Sequence, residues 1–185
     1  KKNKISKNWI RKQHRDIYVR EAIKLGYRSR SAFKLIQIDE KYKIFSNKKT
    51  FLDIGASPGG WSQVACKKIK NAKIFSIDIT PMKPIKNVEF FLGDFTKIES
   101  KKKIIKFFNK DIDLIVSDMA QNTTGNKNLD SIVTNELCLE AINFSKDIIK
   151  KNGCFVSKIF MGSSFKEIIE LARQIFQDVK IFKPR

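Results

Sequence analysis

The chain has 185 residues, of which 42% are hydrophobic, so one domain with a sizeable core is expected. Its 38 Lys and Arg residues exceed its 19 Asp and Glu residues, which gives a formal net charge of +19. This charge favours a polyanionic partner such as nucleic acid, although a general richness in Lys, Asn and Ile would raise the charge without any function. The sequence contains no apolar run of membrane-spanning length and no signal peptide pattern, which argues against a membrane protein.

Cysteine and histidine chemistry is poorly supported. Cys66, Cys138 and Cys154 are an odd number without C-x-x-C spacing, which argues against a disulfide framework and a zinc site and fits a reducing compartment. His14 is the single histidine and lies in a basic segment, so acid–base catalysis by histidine is not expected.

The first 45 residues are predicted to form a basic helical arm. Apolar residues alternate with basic ones up to Gly26, which predicts an amphipathic helix that ends there. A second helix is predicted to begin after Ser29 or Ser31 and to carry Lys34. The basic side chains of the first thirty residues are Lys7, Arg11, Lys12, Arg15, Arg20, Lys24, Arg28 and Arg30.

From residue 50 onward, strand patterns alternate with helix patterns. Strands are predicted at 50–54, 73–78, 88–91, 112–117, 153–159 and 178–182, and helices at 60–70, 97–108, 129–151 and 164–176. Ser164 to Glu167 resembles a capping box, and Gly153 is predicted to end the helix before it. This alternation predicts an α/β fold with a mostly parallel twisted sheet and helices on both faces, whose ligands bind outside the carboxyl ends of the strands.

A glycine-rich turn follows the first of these strands. The apolar run that contains Asp53 stops at Gly55, and Pro58, Gly59 and Gly60 follow before Trp61. Glycines allow a sharp turn into a helix and a close approach of a ligand. The spacing is not G-x-G-x-x-G, so a dinucleotide is a poor match, and a nucleoside without a pyrophosphate fits better.

Two acids end the next two strands. Asp78 is placed to accept hydrogen bonds from a ribose diol, and Asp94 can accept one from an adenine amino group. Phe95 and Met82 would supply apolar contacts to the base. Either acid alone is typical of a cap or turn, but the two together after a glycine-rich turn indicate a nucleoside site.

Asp118 and Lys158 form the second polar pair. Asp118 follows an apolar strand and precedes a polar loop, 121–126, that is predicted to be mobile. Lys158 lies in the apolar run 154–160, where an unpaired charge would be costly. Desolvation and a second lysine would lower its pKa and favour a general base, whereas Asp118 would stabilise the ammonium. The alternative is a lysine that reaches solvent from a strand end.

These motifs resemble those of the FtsJ-type (RrmJ-type) S-adenosylmethionine-dependent RNA 2′-O-methyltransferases, from about Trp9 to Arg185. The Gly59-Gly60-Trp61 form is closer to the members that act on large-subunit ribosomal RNA than to the members that modify tRNA. The matching segments are 28–35, 53–63, 78–82, 93–95, 117–120 and 156–160.

The resemblance implies a Rossmann-like methyltransferase domain over 1–185, with 1–45 as an RNA-binding arm and 50–185 as the cofactor-binding core. It implies S-adenosylmethionine as methyl donor, S-adenosylhomocysteine as product, and the ribose 2′-OH of a uridine in large-subunit ribosomal RNA as acceptor. Lys34, Asp118 and Lys158 match three members of the family's Lys-Asp-Lys-Glu tetrad. The expected cofactor-binding residues are Asp53, Gly55, Pro58, Gly59, Gly60, Trp61, Asp78, Met82, Asp94, Phe95 and Asp118.

The chain departs from the family pattern at two points. The Glu of the tetrad, on the family's final strand, has no match, so the native protein is expected to continue beyond Arg185. Ala120 is followed by Gln121 and Asn122, where the family often shows Ala-Pro-Asn.

Other functions stay open at this point. A non-catalytic RNA-binding ribosome-assembly factor on the same scaffold and a tRNA 2′-O-methyltransferase are the alternatives. A dehydrogenase lacks its glycine motif here, and a small-molecule methyltransferase would not need the basic arm. The expected partner is RNA, as ribosomal RNA or a large ribosomal subunit particle, with no membrane and a monomeric chain. An intracellular location is expected, with a mitochondrion or other organelle, the cytoplasm and the nucleus all open.

Overall fold

The computed structural model describes residues 17–120, 127–162 and 164–184. Within these ranges, five strands are present: β1 (Thr50–Ile54), β2 (Lys73–Asp78), β3 (Val88–Leu92), β4 (Ile112–Ser117) and β5 (Ile149–Ser157). The helices of the same ranges are α1 (Ile17–Lys24), α2 (Ser31–Tyr42), α3 (Gly60–Lys68), α4 (Ile98–Phe108), α5 (Lys127–Lys146) and α6 (Phe165–Ile175).

The strands form one parallel sheet in the order β3-β2-β1-β4-β5. Successive residues of β1 face opposite sides, so Phe51 packs on the face covered by α2 and α3, and Leu52 packs on the face covered by α4 and α5. Helix α6 packs on α5 through Ile168 and Ile142. The predicted α/β fold, with a parallel sheet and helices on both faces, is confirmed.

The direction of strand order reverses between β1 and β4, because the chain passes from edge strand β3 back across to β4. In open parallel sheets the ligand site lies outside the carboxyl ends of the strands at this point. β1 and β4 are buried on both faces, which explains why their sequences read as continuous apolar runs with the predicted bounds.

The region around Gly153 differs from the prediction. Helix α5 ends at Lys146 instead of continuing to residue 151, and β5 spans Ile149–Ser157 instead of 153–159. Ile149 pairs with Ile112 and Cys154 pairs with Leu114, so the residues between them bulge out of the ladder. Gly153 is therefore not a helix stop. It lies in this bulge, where an added Cβ would meet the Lys150 carbonyl oxygen at 2.7 Å.

The predicted strand at 178–182 is wrong, because residues 176–184 form neither helix nor strand. Side chains hold this segment instead: the Phe182 ring meets Tyr42 of α2 edge-on, with centroids 5.9 Å apart. The predicted capping box is also wrong, because the side-chain hydrogen bond that defines it is missing. Ser164 is the N-cap of α6, but its side chain makes no capping bond.

The described part of the arm follows the prediction. Helix α1 ends before Gly26, whose φ is +74°, and α2 begins at Ser31. The predictions for residues 1–16, including Trp9 and His14, and for the loop 121–126 lie outside the described residues. Among the helices of the described ranges, none is both long and apolar enough to cross a membrane.

Replacing Gly55 with alanine is expected to destabilise the fold strongly. Gly55 has φ +78°, and an added Cβ would lie 2.8 Å from the backbone nitrogen of Met119. We expect a loss of about 2–4 kcal/mol in the free energy of unfolding, from left-handed strain plus displacement of the chain after β4. Gly26→Ala is the matched control, since its φ is +74° and nothing lies within 4 Å of its added Cβ. Equal losses in urea unfolding of the two variants would contradict the argument.

Candidate active site

A cavity of about 620 Å³ lies at the carboxyl ends of the strands, beside the reversal in strand order. Its lining includes Gly55 and Ser57 after β1, Asp78 at the end of β2, and Thr80. Gly93, Asp94, Phe95, Asp118, Met119 and Ala120 also line it. Another concavity, of about 630 Å³, lies against β2 and β3 and contains none of the predicted site residues.

Asp78 joins the two loops that border this cavity. One carboxylate oxygen accepts a hydrogen bond from the Ser57 N–H (2.8 Å), and the other accepts one from the Thr80 N–H (2.7 Å). Because each carboxylate oxygen has a second lone pair, Asp78 can still accept from a hydroxyl in the cavity. Its role toward a ribose diol stays a prediction.

Asp94 is held as an ionised acceptor on the same wall. The Thr96 hydroxyl (2.8 Å) and N–H (2.9 Å) both donate to its Oδ1, and these bonds lower the pKa of the carboxyl. An ionised carboxylate only accepts hydrogen bonds, which suits an amino group as its partner. Phe95 lies beside it and packs edge-on against Phe144, with centroids 5.3 Å apart. Met82 does not line the cavity; its sulfur lies near Gly59 instead.

Asp118 and Lys158 meet, as their spacing at two strand ends predicted. The Lys158 Nζ lies 2.8 Å from Asp118 Oδ1 and donates to the Asp118 backbone carbonyl at 3.0 Å. Oδ1 is buried without a hydrogen-bond partner, so its contact with Nζ is an ion pair off the hydrogen-bonding direction. The two side chains are 25% and 21% exposed, which leaves the pair partly open to a substrate.

Lys158 lies one residue beyond β5, not inside it. Its N–H continues the ladder by donating to the Ser117 carbonyl (2.9 Å), and its side chain turns toward Asp118. The lysine is thus paired and half-exposed, so the cost that an isolated buried charge would carry does not arise. Lys34, on α2, is half-buried and forms no hydrogen bond or ion pair with the described residues, including Asp118 and Lys158.

Asp53 is fully buried and does not line the cavity. Ser62 donates a 2.5 Å hydrogen bond to its Oδ2, while Oδ1 has no partner among the described residues. Burial raises the pKa of Asp53 to about 7, and the nearby charges of Asp118 and Asp78 act in the same direction. Asp53 therefore lies beneath the glycine-rich turn, where it bonds to helix α3 and not to the cavity.

The rest of the glycine-rich turn faces the basic arm. The Trp61 indole N–H donates to the Ser31 carbonyl (2.7 Å), and Gly60 leaves no room for a side chain beside Ser29. Gly59, with φ +108°, is the N-cap of α3, and the peptide bond before Pro58 is cis. None of Pro58, Gly59, Gly60 and Trp61 lines the cavity.

Sequence reasoning missed Asn135, which supports the Lys158 segment. This residue of α5 is fully buried, and its side-chain amide donates to the Phe160 carbonyl and accepts from the Phe160 N–H, both at 3.2 Å. The pair of bonds holds the chain just after Lys158. A lone amide on a buried helix face was the available signal, but its partners are backbone groups that the sequence does not reveal.

The fold and this cavity define a Rossmann-like α/β protein with a nucleoside-sized site beside a carboxylate–ammonium pair. A model of the FtsJ-like methyltransferase family matches residues 27–185, and the chain belongs to that family of enzymes.

Named relatives agree with this assignment. The chain is 55% identical to the ribosomal RNA large subunit methyltransferase E of Pelagibacter ubique (strain HTCC1062), with 100% of this chain and 91% of the relative covered. It is 43% identical to the protein of the same name from Rickettsia canadensis (strain McKiel), over 97% of this chain and 82% of the relative. A Plasmodium falciparum crystal structure described as a ribosomal RNA methyltransferase superposes with a TM-score of 0.78 at 36% identity, covering 85% of this chain and 91% of that chain.

Methyltransferase membership implies S-adenosylmethionine as the methyl donor, and the residues present fit it. The cavity is of the size that small-molecule ligands occupy. Asp78 and Asp94 offer free acceptor capacity at its wall, and Phe95, which also lines the cavity, offers an apolar surface. An added Cβ at Gly55 would collide with Met119 at the cavity wall.

Replacing Asp78 with asparagine is expected to weaken cofactor binding. An amide has one oxygen, so one of the two N–H groups that now donate to Asp78 would face an NH₂ group. A mispaired donor of this kind costs about 1–3 kcal/mol, which corresponds to an increase of about fivefold to 150-fold in the Kd for S-adenosylhomocysteine. Calorimetric titration of the variant tests this, with Asp147→Asn at an exposed position as control. Equal affinities for the two variants would refute the bridging role.

Proposed function

We propose that this protein transfers a methyl group from S-adenosylmethionine to the ribose 2′-OH of a nucleotide, a uridine, in large-subunit ribosomal RNA. The observation that carries this proposal is the Lys158–Asp118 ion pair, in which Asp118 lines the wall of a nucleoside-sized cavity. The names of the relatives support ribosomal RNA of the large subunit as the substrate.

In this proposal the strand-end acids hold the cofactor. Asp78 accepts from the ribose hydroxyls, Asp94 accepts from the adenine amino group, and Phe95 contacts the base. The bound cofactor supplies a methyl group activated by a positively charged sulfur. The side chains of the protein then have two tasks: to position the acceptor hydroxyl and to manage its proton.

Lys158 takes the proton of the 2′-OH. An ammonium has three N–H donors, and one of them donates to the Asp118 carbonyl, so the nitrogen has capacity left for a substrate oxygen. In its neutral form the amine accepts the hydroxyl proton, and the Asp118 carboxylate stabilises the ammonium that results. Lys34 completes the group as the resemblance implies, acting on the ribose or its phosphate once RNA is bound.

The arm, residues 1–45, binds RNA, while residues 50–185 form the cofactor-binding core. Arg20 and Lys24 are exposed on α1, and the net charge of +19 favours phosphate contacts. The acceptor 2′-OH is a group that RNA has and DNA lacks. The protein acts as a monomer inside the cell, with a mitochondrion or other organelle, the cytoplasm and the nucleus as the possible compartments.

A labelled-methyl assay tests this function. Large ribosomal subunits, free large-subunit RNA and tRNA, each from cells with the gene deleted, are offered with labelled S-adenosylmethionine. We expect label in large-subunit RNA. Label in tRNA alone would favour a tRNA 2′-O-methyltransferase, and RNA binding without any transfer would favour an assembly factor.

A further inference from the structure

Arg28 lies between α1 and α2, in the segment that joins the basic arm to the core. The backbone N–H of Arg28 donates to the Gln63 side-chain oxygen (2.8 Å), and the Gln63 side-chain NH₂ donates to the Gly26 carbonyl (3.0 Å). These two bonds hold the segment on helix α3. The side chain of Arg28 is therefore directed from a fixed piece of backbone.

The guanidinium donates to three backbone carbonyls. One is that of Pro58 in the glycine-rich turn (3.3 Å), and the other two belong to Lys83 and Pro84 (2.8 Å for Pro84) in the loop between β2 and β3. A planar fork can reach several acceptors at fixed angles, whereas a lysine ammonium is a single point charge. The guanidinium N–H groups of Arg28 are thus engaged by carbonyls of the protein itself, even when no phosphate is bound.

Both loops that Arg28 joins also border the cofactor cavity. Ser57 lines the cavity from the first loop, and Ile79 and Thr80 line it from the second. Asp78 bridges the same two loops at the cavity wall through the Ser57 and Thr80 N–H groups. Arg28 thus adds a second link between the loops, made to other residues.

Gly59 leaves the space that this arrangement needs. An added Cβ there would lie 3.2 Å from Arg28 Nη1, 3.3 Å from the Met82 sulfur and 2.7 Å from Ile85 Cδ1. The glycine, the guanidinium and the β2–β3 loop thus pack at one point.

We propose that Arg28 is a positioning residue that fastens the β2–β3 loop to the glycine-rich turn and thereby couples the RNA-binding arm to the cofactor cavity. The coupling to RNA rests on the proposed function, whereas the fastening of the loop does not. Strain or movement of the arm on binding RNA would be transmitted through Arg28 to Asp78 and the cavity wall. Arg28 itself contributes no phosphate contact.

Arg28→Gln and Arg20→Gln form a crossed test, since Arg20 is exposed on α1. We expect Arg28→Gln to raise the Kd for S-adenosylhomocysteine about tenfold and to leave the salt dependence of RNA binding unchanged. Arg20→Gln should leave that Kd unchanged and lower the salt slope by about one. Arg28→Lys keeps the charge but loses the fork, so it should weaken S-adenosylhomocysteine binding as Arg28→Gln does.

Hydrogen exchange of the free protein provides a readout that needs neither RNA nor cofactor. We expect faster exchange across residues 79–87 in Arg28→Lys, with exchange of β1 and β4 unchanged, which also reports an intact fold. Unchanged exchange in 79–87, or an Arg28→Gln variant with normal S-adenosylhomocysteine affinity and a reduced salt slope, would overturn the proposal. Failure of the wild type to bind S-adenosylhomocysteine would instead count against the proposed function, because the exchange result stands by itself.

Discussion

Lys158→Ala is expected to abolish methyl transfer while cofactor binding is retained. The Lys158 Nζ contacts Asp118 twice and does not line the cavity wall, so its loss removes the proton acceptor without removing a cofactor contact. General base catalysis contributes about 10²–10⁴-fold, and we expect kcat to fall by at least that factor. Single-turnover transfer of labelled methyl to large ribosomal subunits measures the rate, and calorimetry with S-adenosylhomocysteine measures binding.

The control for this variant is Lys151→Ala, an exposed lysine in the bulge of β5. It removes the same charge from the strand that leads to Lys158 and should leave the rate unchanged. Asp118 would be left without its partner in Lys158→Ala, so thermal unfolding should accompany the assay to show that the fold persists. A rate for folded Lys158→Ala within twofold of the wild type would exclude Lys158 from the proton transfer.

Asp53→Asn is expected to change the pH dependence of stability. In the folded protein burial raises the pKa of Asp53 to about 7, whereas an unperturbed Asp titrates near 3.8. Between these values the unfolded chain is ionised and the folded chain keeps its proton, so rising pH favours unfolding. The stability that the protonated, buried Asp53 contributes to the folded state is fully present below pH 3.8 and is lost as the pH rises to about 7. The total loss is about 4 kcal/mol at about 1.4 kcal/mol per pH unit.

The measurement is the free energy of unfolding in urea at several pH values from 5 to 8. Because asparagine does not titrate, the free energy of unfolding of the variant should rise relative to that of the wild type by about 1.4 kcal/mol per pH unit up to about pH 7. Above that pH the difference should stay constant. Asp113→Asn is the control, because the lowered pKa of Asp113 leaves it ionised in both the folded and the unfolded chain from pH 5 to 8, so its stability difference should not vary with pH in this range. Burial tends to raise the pKa of Asp113, but the Lys49 and Thr50 N–H groups outweigh burial and lower it. A stability difference for Asp53→Asn that varies by less than about 1 kcal/mol over this range would refute the assignment.

The parts of the fold that depend on local pattern were predictable. The bounds of β1, β2 and β4 agree with the sequence, because strands buried on both faces are continuous apolar runs between turn residues. Asp78, Asp94 and Asp118 follow from the same logic, since the carboxyl ends of parallel strands meet at one edge. The pair of Asp118 with Lys158 needed only this edge and opposite charges.

Other features depend on partners that the sequence does not name. The bulge around Gly153 is set by pairing with β4, which the local sequence does not show. The sequence pattern therefore wrongly predicted Gly153 as the end of a helix. Arg28 read as one more basic side chain of the arm, because its acceptors are backbone carbonyls of two distant loops. Asp53 belongs to the same glycine-rich motif as Gly55, yet alternation along β1 directs its side chain to α3 and away from the cavity. The assignment of Lys34 rests on the family resemblance.

The central claim is that the methyl group is placed on a ribose 2′-oxygen, and the position of the label in the product tests it most directly. Large ribosomal subunits are methylated with labelled S-adenosylmethionine, and the RNA is hydrolysed in alkali. A 2′-O-methyl group removes the hydroxyl that cleaves the adjacent phosphodiester, so the account predicts label in an alkali-stable dinucleotide that contains 2′-O-methyluridine. Label recovered in ordinary mononucleotides, as a methylated base, would contradict the account.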